Sequence, residues 1–312
     1  MPLFLGIDGG GTKTDCIIGD ATSSLGRFTA GTSKIHRVGR EAATNSLHAA
    51  IRGAMYAANC SLDQVQHSCV GISGASQPEV RHWLDVAMKE LLPGGLTIVG
   101  DNVIAHEAAF RGGPGVLVIA GTGSIAFGRN ERGETARAGG WGPVISDEGS
   151  GDWIGRAATA ACLRALDTGN NTAMMGRILT AWGVTTREDI IRIVNSYPPP
   201  NFAALFPQVL AAADTGDMVA RDVLSRAGAE LAQLARIVIR KLWAGDAHLH
   251  VAGSGGVIRN SSQIRQVMHN AIRAERPNAL WDDSLIDPAM GALYLARHAP
   301  PAAAPPDSRP SA

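Results

Sequence analysis

The chain has 312 residues, enough for two domains of ordinary size, with 45% hydrophobic residues, 18% charged residues and 37 glycines. This composition predicts an α/β protein with many tight turns. Because 28 basic residues balance 28 acidic ones, the sequence argues against nucleic acid or an anionic membrane as a partner.

The cysteines and the N-terminus indicate the compartment. Cys16, Cys60, Cys69 and Cys162 are scattered without CxxC spacing, which is typical of buried thiols in a reducing environment. The first residues lack the basic segment and the long apolar run of a signal peptide. The sequence also contains no apolar run of about eighteen residues, the length that a membrane span requires. We therefore expect a cytoplasmic protein.

A glycine-rich corner follows the first predicted strand. The short apolar run Leu3–Ile7 leads into Asp8-Gly9-Gly10-Gly11-Thr12-Lys13-Thr14, and a second apolar run begins at Cys16. This spacing predicts a hairpin turn, because a P-loop and a Rossmann fingerprint both open a helix instead.

The chemistry of this corner suits a phosphate. The backbone amides of Gly10 and Gly11 can approach phosphate oxygens because no Cβ blocks them, and Thr12 adds a hydroxyl donor. Asp8 at the strand end can hold Mg²⁺ directly or through water. An ordinary hairpin with a flexible tip remains the alternative.

The chain then completes a first α/β unit that ends near residue 112. The last strand of this unit delivers Asp101, a carboxylate placed to meet an acceptor hydroxyl. The predicted elements after the hairpin are a strand near Leu25–Ala30, a helix Glu41–Ala58, a strand Gln66–Ile72 that ends at Ser73 and Gly74, a helix Glu79–Leu91 and a strand Leu96–Val99.

A second unit begins with the same kind of corner. The strand Val116–Ala120 enters Gly121-Thr122-Gly123-Ser124, and a further strand, Ile125–Arg129, leaves it. Two such corners that open two successive units indicate a weak internal repeat. Two lobes that each offer a phosphate hairpin imply a nucleotide clamped between them.

A long irregular loop, 139–152, comes next and contains two adjacent carboxylates, Asp147 and Glu148. Such glycine-rich loops are costly to order, which favours a binding role. The alternative is a connection in which Trp141 packs the loop against the core.

The remainder is mostly helical. Asp217 is predicted to cap a long helix that reaches Trp243, and a third glycine corner, Gly253-Ser254-Gly255-Gly256, follows the strand Leu249–Ala252. A last helix, Pro288–Arg297, precedes a flexible tail, 299–312, which is rich in proline, alanine and serine.

Together these motifs resemble the N-acetylglucosamine kinase and glucosamine kinase group of the BadF/BadG/BcrA/BcrD ATPase family. The resemblance covers residues 3–297. It is carried by Asp8–Thr12, Gly71–Gly74, Asp101-Asn102, Gly121–Ser124, Gly140–Gly142, Asp147–Ser150 and Gly253–Gly256.

The resemblance implies the actin-like ATPase fold of sugar kinases, Hsp70 and actin, with ATP in the cleft between two ribonuclease-H-like lobes. The lobes would be residues 1–112 and 113–298, with a helical insertion in the second and a last helix able to pack back on the first. It implies ATP and Mg²⁺ as cofactors, and it is compatible with a homodimer.

The resemblance also assigns site residues. Asp101 would be the catalytic base and would contact the sugar. The nucleotide and its Mg²⁺ would be bound by Asp8, Gly10, Gly11, Thr12, Lys13, Gly121, Thr122, Gly253, Ser254, Gly255 and Gly256. The sugar would be bound by Ser73, Gly74, Gly123, Ser124, Gly140, Trp141, Gly142 and Asp147.

Two positions depart from the vertebrate N-acetylglucosamine kinases. Lys34 and Ile125 stand where those enzymes have asparagine. The sequence therefore predicts a kinase for the 6-hydroxyl of N-acetylglucosamine or glucosamine and leaves the sugar itself open. The alternatives are a kinase for N-acetylmuramic acid or another hexose, another ATPase of the family, and a non-catalytic sugar sensor.

Overall fold

A computed structural model describes residues 2–245 and 248–300 of the chain. The chain divides into two compact units. The first unit comprises the residues up to Gly112 together with the segment that begins at Ile286, and the second runs from Gly113 to Leu285. The predicted tail lies outside the described residues from position 301 onward.

The first unit is built on a mixed β-sheet. Its described strands are β1 (Leu3–Gly9), β2 (Lys13–Gly19), β3 (Ser24–Gly31), β4 (Val65–Ile72) and β5 (Gly95–Val99). They lie in the order β3-β2-β1-β4-β5, with β2 antiparallel to its neighbours and β4 and β5 parallel to β1. The predicted glycine hairpin is confirmed, because the β1–β2 pairing ends at Gly9 and Thr14.

Helices cover this sheet. They are α1 (Ile35–Val38), α2 (Arg40–Ala57), α3 (Pro78–Lys89) and α4 (Asp101–Phe110), with a short 3₁₀ turn at Leu62–Gln64. The apolar face predicted for α2 is buried: Ala43, Leu47, Ala50, Ile51 and Ala54 are all fully enclosed. α3 begins with Pro78 at its first position, where the missing N–H costs nothing.

The second unit repeats the sheet of the first. Its described strands are β6 (Gly115–Ala120), β7 (Ser124–Arg129), β8 (Thr135–Gly139), β9 (Leu249–Ser254) and β10 (Ala279–Asp282). They lie in the order β10-β9-β6-β7-β8, which is the order of the first sheet read from its other edge. The antiparallel and parallel pairings also match. The internal repeat predicted from the two corners is confirmed.

The helices of the second unit are α5 (Gly151–Asp167), α6 (Ala173–Trp182), α7 (Arg187–Val194), α8 (Phe206–Asp214), α9 (Met218–Leu242), α10 (Gly256–Asn260) and α11 (Ser262–Glu275), with a 3₁₀ turn at Phe202–Leu205. The predicted cap of α9 is confirmed, since Asp217 Oδ1 accepts a hydrogen bond from the amide of Ala220 at 3.0 Å. α9 packs against β6, β7 and β8 with its apolar stripe. Within the described ranges, no helix is long and apolar enough to cross a bilayer.

The final helix, α12 (Pro288–Arg297), lies in the first unit and packs on β1 and α4. Glycines make this contact possible. The backbone of Ala289 and Leu293 occupies the position of a Cβ on Gly6, and the carbonyl of Ile104 occupies that of a Cβ on Gly291. The sequence had assigned this segment to the second lobe and had left its packing on the first lobe open.

Candidate active site

Two carboxylates meet at one edge of the first sheet. Asp8 is the next-to-last residue of β1, and Asp101 is the first residue of α4, separated from β5 by Gly100 alone. β1, β4 and β5 are parallel, so their carboxyl ends share that edge. Burial raises the pKa of Asp8 to about 7, and the charges of Asp101 and Asp15 add to the effect.

The surroundings of Asp101 also disfavour the ionised form of its carboxyl group. Burial raises the pKa of its carboxyl above the ordinary value. The amide of Asn102, which donates to Asp101 Oδ1 at 2.9 Å, and the positive charge of Lys34 both lower that pKa in part. A carboxylate in such surroundings is a stronger proton acceptor than one in water.

The glycine turn beside Asp8 borders open space. Gly11 and Thr12 are exposed, and a Cβ on Gly11 would meet no atom within 4 Å. The carbonyls of Gly10 and Gly11 are held from the other side by the Thr32 hydroxyl at 2.9 Å and the Arg37 guanidinium at 2.6 Å. The turn is therefore fixed and accessible, as phosphate binding requires. Lys13, at the start of β2, places its ammonium 3.5 Å from Asp15 Oδ2.

The other predicted site residues of this unit, Ser73 and Gly74, lie in the turn after β4. Gly74 adopts a left-handed conformation, with φ of 82°, and its carbonyl accepts from the amide of Gln77 at 2.8 Å. The Gln77 side chain in turn bonds to His36 on α1 at 3.1 Å. The two residues thus belong to the loops at the same sheet edge as Asp101.

In the second unit, the turn between β6 and β7 has a similar form. The amide of Gly121 donates to Gly123 O at 2.9 Å, and a Cβ on Gly121 would meet no atom within 4 Å. The amides of Gly151 and Asp152 donate to the carbonyls of Gly121 and Thr122 at 2.8 and 3.2 Å. The start of α5 is thereby tied to this turn.

Asp147 is the most constrained residue of the glycine-rich loop. It is buried and left-handed, with φ of 63°, a conformation that costs free energy for a residue other than glycine. Its carboxylate lies so close to Gly123 that a Cβ there would approach Oδ2 to 2.7 Å. Burial raises the pKa of Asp147, while the amides of Gly142 and Ser124 lower it. Strain and burial together are expected of a ligand-binding carboxylate.

The rest of the loop is arranged around Asp147. Ser124, the first residue of β7, donates from its hydroxyl to Glu148 O at 2.7 Å. Gly140 and Gly142 have φ of 73° and 100°, and a Cβ on Gly140 would lie 2.9 Å from Ile125. Ile125 therefore packs against the loop backbone.

Trp141 does not pack the loop against the core. Its side chain is 64% exposed, and the guanidinium of Arg137 lies 4.1 Å from its ring centre. The alternative reading, in which this tryptophan anchors a structural loop, is wrong. An exposed indole supported by a stacked arginine is free to contact a ligand.

The third glycine corner lies beside the second. Gly253 and Ser254 end β9, Gly255 precedes α10 with φ of 95°, and Gly256 is its first residue. A Cβ on Gly255 would collide with the backbone of Ala120, the residue directly before Gly121. The structure thus brings the predicted phosphate and adenosine segments of this unit together.

Sequence reasoning missed the groups that surround Asp8. Asp15 lies opposite Asp8 in the β1–β2 pairing. Arg27 on β3 donates to both carboxylate oxygens of Asp15. Arg27 also donates to Asp287, the residue before α12, at 2.6 Å. The available sequence signal for this ion pair was Asp15 itself, a single carboxylate within the otherwise buried strand β2.

The donors at this edge fit a magnesium ion that also binds phosphate. In the described part of the chain, no three metal-ligating side chains are grouped. Mg²⁺, however, commonly takes one or two carboxylates and completes its shell with water and substrate phosphates. Asp8 meets that requirement. The carboxylates of Asp101 and Asp15 place negative charge around it, and the positive charge of Lys13 offsets this only in part.

Two units with the same sheet order and a glycine-rich strand-turn-strand corner in each define an actin-like ATPase fold of the sugar-kinase type. The chain belongs to the BadF/BadG/BcrA/BcrD ATPase family, whose family model matches residues 5–296. The resemblance drawn from the motifs is confirmed.

The relatives found by sequence comparison are named as sugar kinases. An N-acetylmuramic acid/N-acetylglucosamine kinase of Clostridium acetobutylicum is 31% identical over 95% of this chain and 99% of its own. An N-acetyl-D-glucosamine kinase of Dictyostelium discoideum is 30% identical over 94% of this chain and 97% of its own. The solved structure of a candidate N-acetylglucosamine kinase from Chromobacterium violaceum is 26% identical, with a TM-score of 0.75, over 95% of this chain and 99% of its own.

Proposed function

We propose that this protein is an ATP-dependent amino-sugar kinase that phosphorylates the 6-hydroxyl of N-acetylglucosamine or glucosamine. The observation that carries the proposal is Asp101: a carboxylate of raised pKa at the sheet edge beside Asp8 and a fixed glycine turn. The family and the names of the relatives supply the reaction class.

Asp101 acts as the general base. A sugar hydroxyl is a weak nucleophile, and a carboxylate within hydrogen-bond reach accepts its proton as the new bond forms. The sugar O6 bonds to the γ-phosphorus, the bond from that phosphorus to the β,γ-bridging oxygen breaks, and ADP leaves. The rest of the catalysis consists of positioning and charge neutralisation.

The glycine turns bind the phosphates. The exposed backbone at Gly11 and at Gly121 presents amides to phosphate oxygens without interference from a side chain. Thr12 and Thr122 add hydroxyls, and Gly255, held against Ala120, orients the adenosine. Mg²⁺ held by Asp8 would neutralise charge on the phosphates.

Asp147 orients the sugar. An ionised carboxylate can accept hydrogen bonds from two neighbouring hydroxyls of a pyranose, which fixes the hydroxyl that faces the base. Its left-handed backbone and its burial hold it in one position. Ser124, Gly140 and Gly142 shape the surroundings, and the exposed ring of Trp141 is available for a face of the sugar.

The cysteines disfavour the family's other known role, coupling of ATP hydrolysis to electron transfer through a shared iron–sulfur cluster. A cluster shared between subunits needs cysteine thiolates at the subunit surface. Cys16, Cys69 and Cys162 are buried, and burial raises the pKa of Cys69 and of Cys162 to about 12.

The test is a coupled assay of ADP release across a panel of amino sugars and plain hexoses, with the sugar product identified by mass and NMR. We expect ADP release that depends on N-acetylglucosamine or glucosamine, with phosphate on O6. Absence of sugar-dependent ADP release across the panel would reject the proposal.

A further inference from the structure

The first part of α5 carries a cation that the proposed mechanism does not use. Arg156 lies on the second turn of this helix. Side chains of a helix lean towards its N-terminus, and the Nε of Arg156 accordingly donates to Asp152 Oδ1 at 2.5 Å. The amide of Asp152 in turn donates to the carbonyl of Thr122 at 3.2 Å. A short chain of hydrogen bonds therefore connects the guanidinium of Arg156 to the second glycine turn.

An aromatic ring supports the guanidinium of Arg156 from one side. The central carbon of the guanidinium lies 4.3 Å from the ring centre of Phe202. The backbone of Phe202 is packed directly on α5, because its carbonyl occupies the position of a Cβ on Gly155. The cation–π contact and the hydrogen bond to Asp152 together restrict the orientation of the guanidinium.

The other side of Arg156 is available to a ligand. Asp152 accepts from Nε, and within the described ranges the two terminal nitrogens of Arg156 meet no hydrogen-bond acceptor. The arginine side chain is 41% exposed, whereas that of Asp152 is only 12% exposed. A guanidinium presents five N–H donors in a fixed fork, and the donors on its terminal nitrogens match the oxygens of a phosphate. The buried carboxylate thus orients the arginine and leaves its outer donors free.

Phosphate binding beside this turn calls for a cation. The charges of Glu148 and Asp152 both raise the pKa of Asp147, so three carboxylates lie near one another at this end of the second unit. Their negative charge repels a phosphate, and the amides of a glycine turn carry only partial positive charges. A guanidinium attached to Thr122 through Asp152 offsets that repulsion at the place where the amides bind.

We propose that Arg156 is a further phosphate-binding residue of the nucleotide site, whose terminal nitrogens donate to the phosphates held at Gly121 and Thr122. This inference rests on the proposed kinase function, which assigns the second glycine turn to those phosphates. Asp152 and Phe202 are positioning residues that orient the guanidinium. Arginine suits the role because its planar fork can bond a carboxylate through Nε and a phosphate through the terminal nitrogens at the same time.

The test measures the binding of ADP by calorimetry and of adenosine by NMR titration, which isolates the contribution of the phosphates without any turnover. Arg156→Met should raise the Kd for ADP about tenfold to a hundredfold, because hydrogen bonds between charged groups are lost. The Kd for adenosine should stay near its wild-type value. Arg156→Lys should recover only part of the affinity for ADP, because an ammonium lacks the fork that joins Asp152 to a phosphate.

Arg164→Met is the matched control, because Arg164 is an exposed arginine about two turns further along the same helix. It should bind both ligands as the wild type does, and thermal unfolding of each variant checks that it is folded. An unchanged Kd for ADP in Arg156→Met would overturn the inference and leave the kinase function standing. An equal loss of affinity for ADP and adenosine would also overturn it, by assigning Arg156 to support of the turn as a whole. A failure of the kinase function is a different result, namely a wild type that releases no ADP with any sugar.

Discussion

Asp8 and Asp15 face each other across the β1–β2 pair, and their pKa values move in opposite directions. Burial and neighbouring carboxylates raise the pKa of Asp8 to about 7. Burial would also raise that of Asp15, but the bidentate hydrogen bonds and charge of Arg27 outweigh it and lower the pKa. Directly opposite side chains share a face of the sheet. Asp15 is thus committed to an ion pair, and Asp8 is the carboxylate that we propose as a ligand of Mg²⁺.

The first prediction concerns this ion pair. Arg27→Met should lower the free energy of unfolding by about 1–3 kcal/mol at pH 7, because it leaves the buried carboxylate of Asp15 with the ammonium of Lys13, 3.5 Å away, as its remaining charged partner. Since the folded pKa of Asp15 is depressed, its contribution is present above the unfolded pKa, near 3.8, and is lost as the pH falls through the folded value. The difference between the two proteins in urea unfolding should therefore shrink in acid. Arg187→Met, which removes an exposed pair with Glu188, is the control and should change stability little. An equal effect of both variants would contradict the prediction.

The second prediction tests the base. Asp101→Asn keeps the shape of the side chain and removes its proton acceptor. We expect kcat to fall about 10²–10⁴-fold, the range that general-base catalysis supplies. Nucleotide binding, measured by calorimetry, should stay close to that of the wild type. Turnover at the wild-type rate would remove Asp101 from the mechanism.

The third prediction concerns pH. Asp101 must be ionised to accept a proton, and burial raises its pKa above the ordinary 3.8. The protonated fraction grows as the pH falls, so kcat/KM for the sugar should decline on the acid side with a midpoint above 3.8. A profile of kcat/KM against pH at constant ionic strength measures this midpoint. Activity that persists unchanged down to the pKa of an ordinary aspartic acid would disagree with this expectation.

The fourth prediction separates sugar from nucleotide. Asp147→Asn retains a residue that tolerates the left-handed conformation but removes the charge. KM for the sugar should rise about tenfold or more, while KM for ATP changes little, because a hydrogen bond to an ionised acceptor is weakened. Glu148→Gln, at the next position, is the control and should leave both constants near their wild-type values. A sugar KM that Asp147→Asn does not change would place Asp147 outside the sugar site.

The fifth prediction compares two helical glycines. Gly291→Ala should destabilise the protein by about 1–3 kcal/mol or more, because the new methyl group has to displace the backbone of α4 at Ile104. Gly176→Ala, on α6, meets no atom within 4 Å and should stabilise by up to about 1 kcal/mol. Thermal unfolding of both variants provides the measurement. Opposite signs are required, and a stabilising Gly291→Ala would refute the close packing.

Much of the fold was predictable because its strongest signals are local. The glycine corner between β1 and β2 and the cap of α9 by Asp217 follow from short-range spacing and hydrogen bonding, and both are confirmed. β8 and β10 were missed because they are short edge strands of five and four residues. α4 was missed because its burial comes from α12, which is far away in the sequence.

At the candidate site, too, contacts between residues distant in the sequence could not be predicted. Carboxylates at strand ends pointed to Asp8 and Asp101, and a glycine-rich loop pointed to Asp147, without any knowledge of contacts. The link from Asp15 through Arg27 to Asp287 includes a contact, Arg27 to Asp287, between positions 260 residues apart in the sequence, so no local pattern could reveal it. The exposure of Trp141 also depends on loop geometry that composition does not encode.

The placement of α12 affects the order of events during translation. The first unit cannot cover the face of β1 at Gly6 until the residues near Leu293 have been made. The second unit ends at Leu285 and is synthesised in full before then. The part of the protein that starts first on the ribosome is therefore completed last, and a nascent chain that ends at Leu285 contains every residue of the second unit but lacks the segment that completes the first.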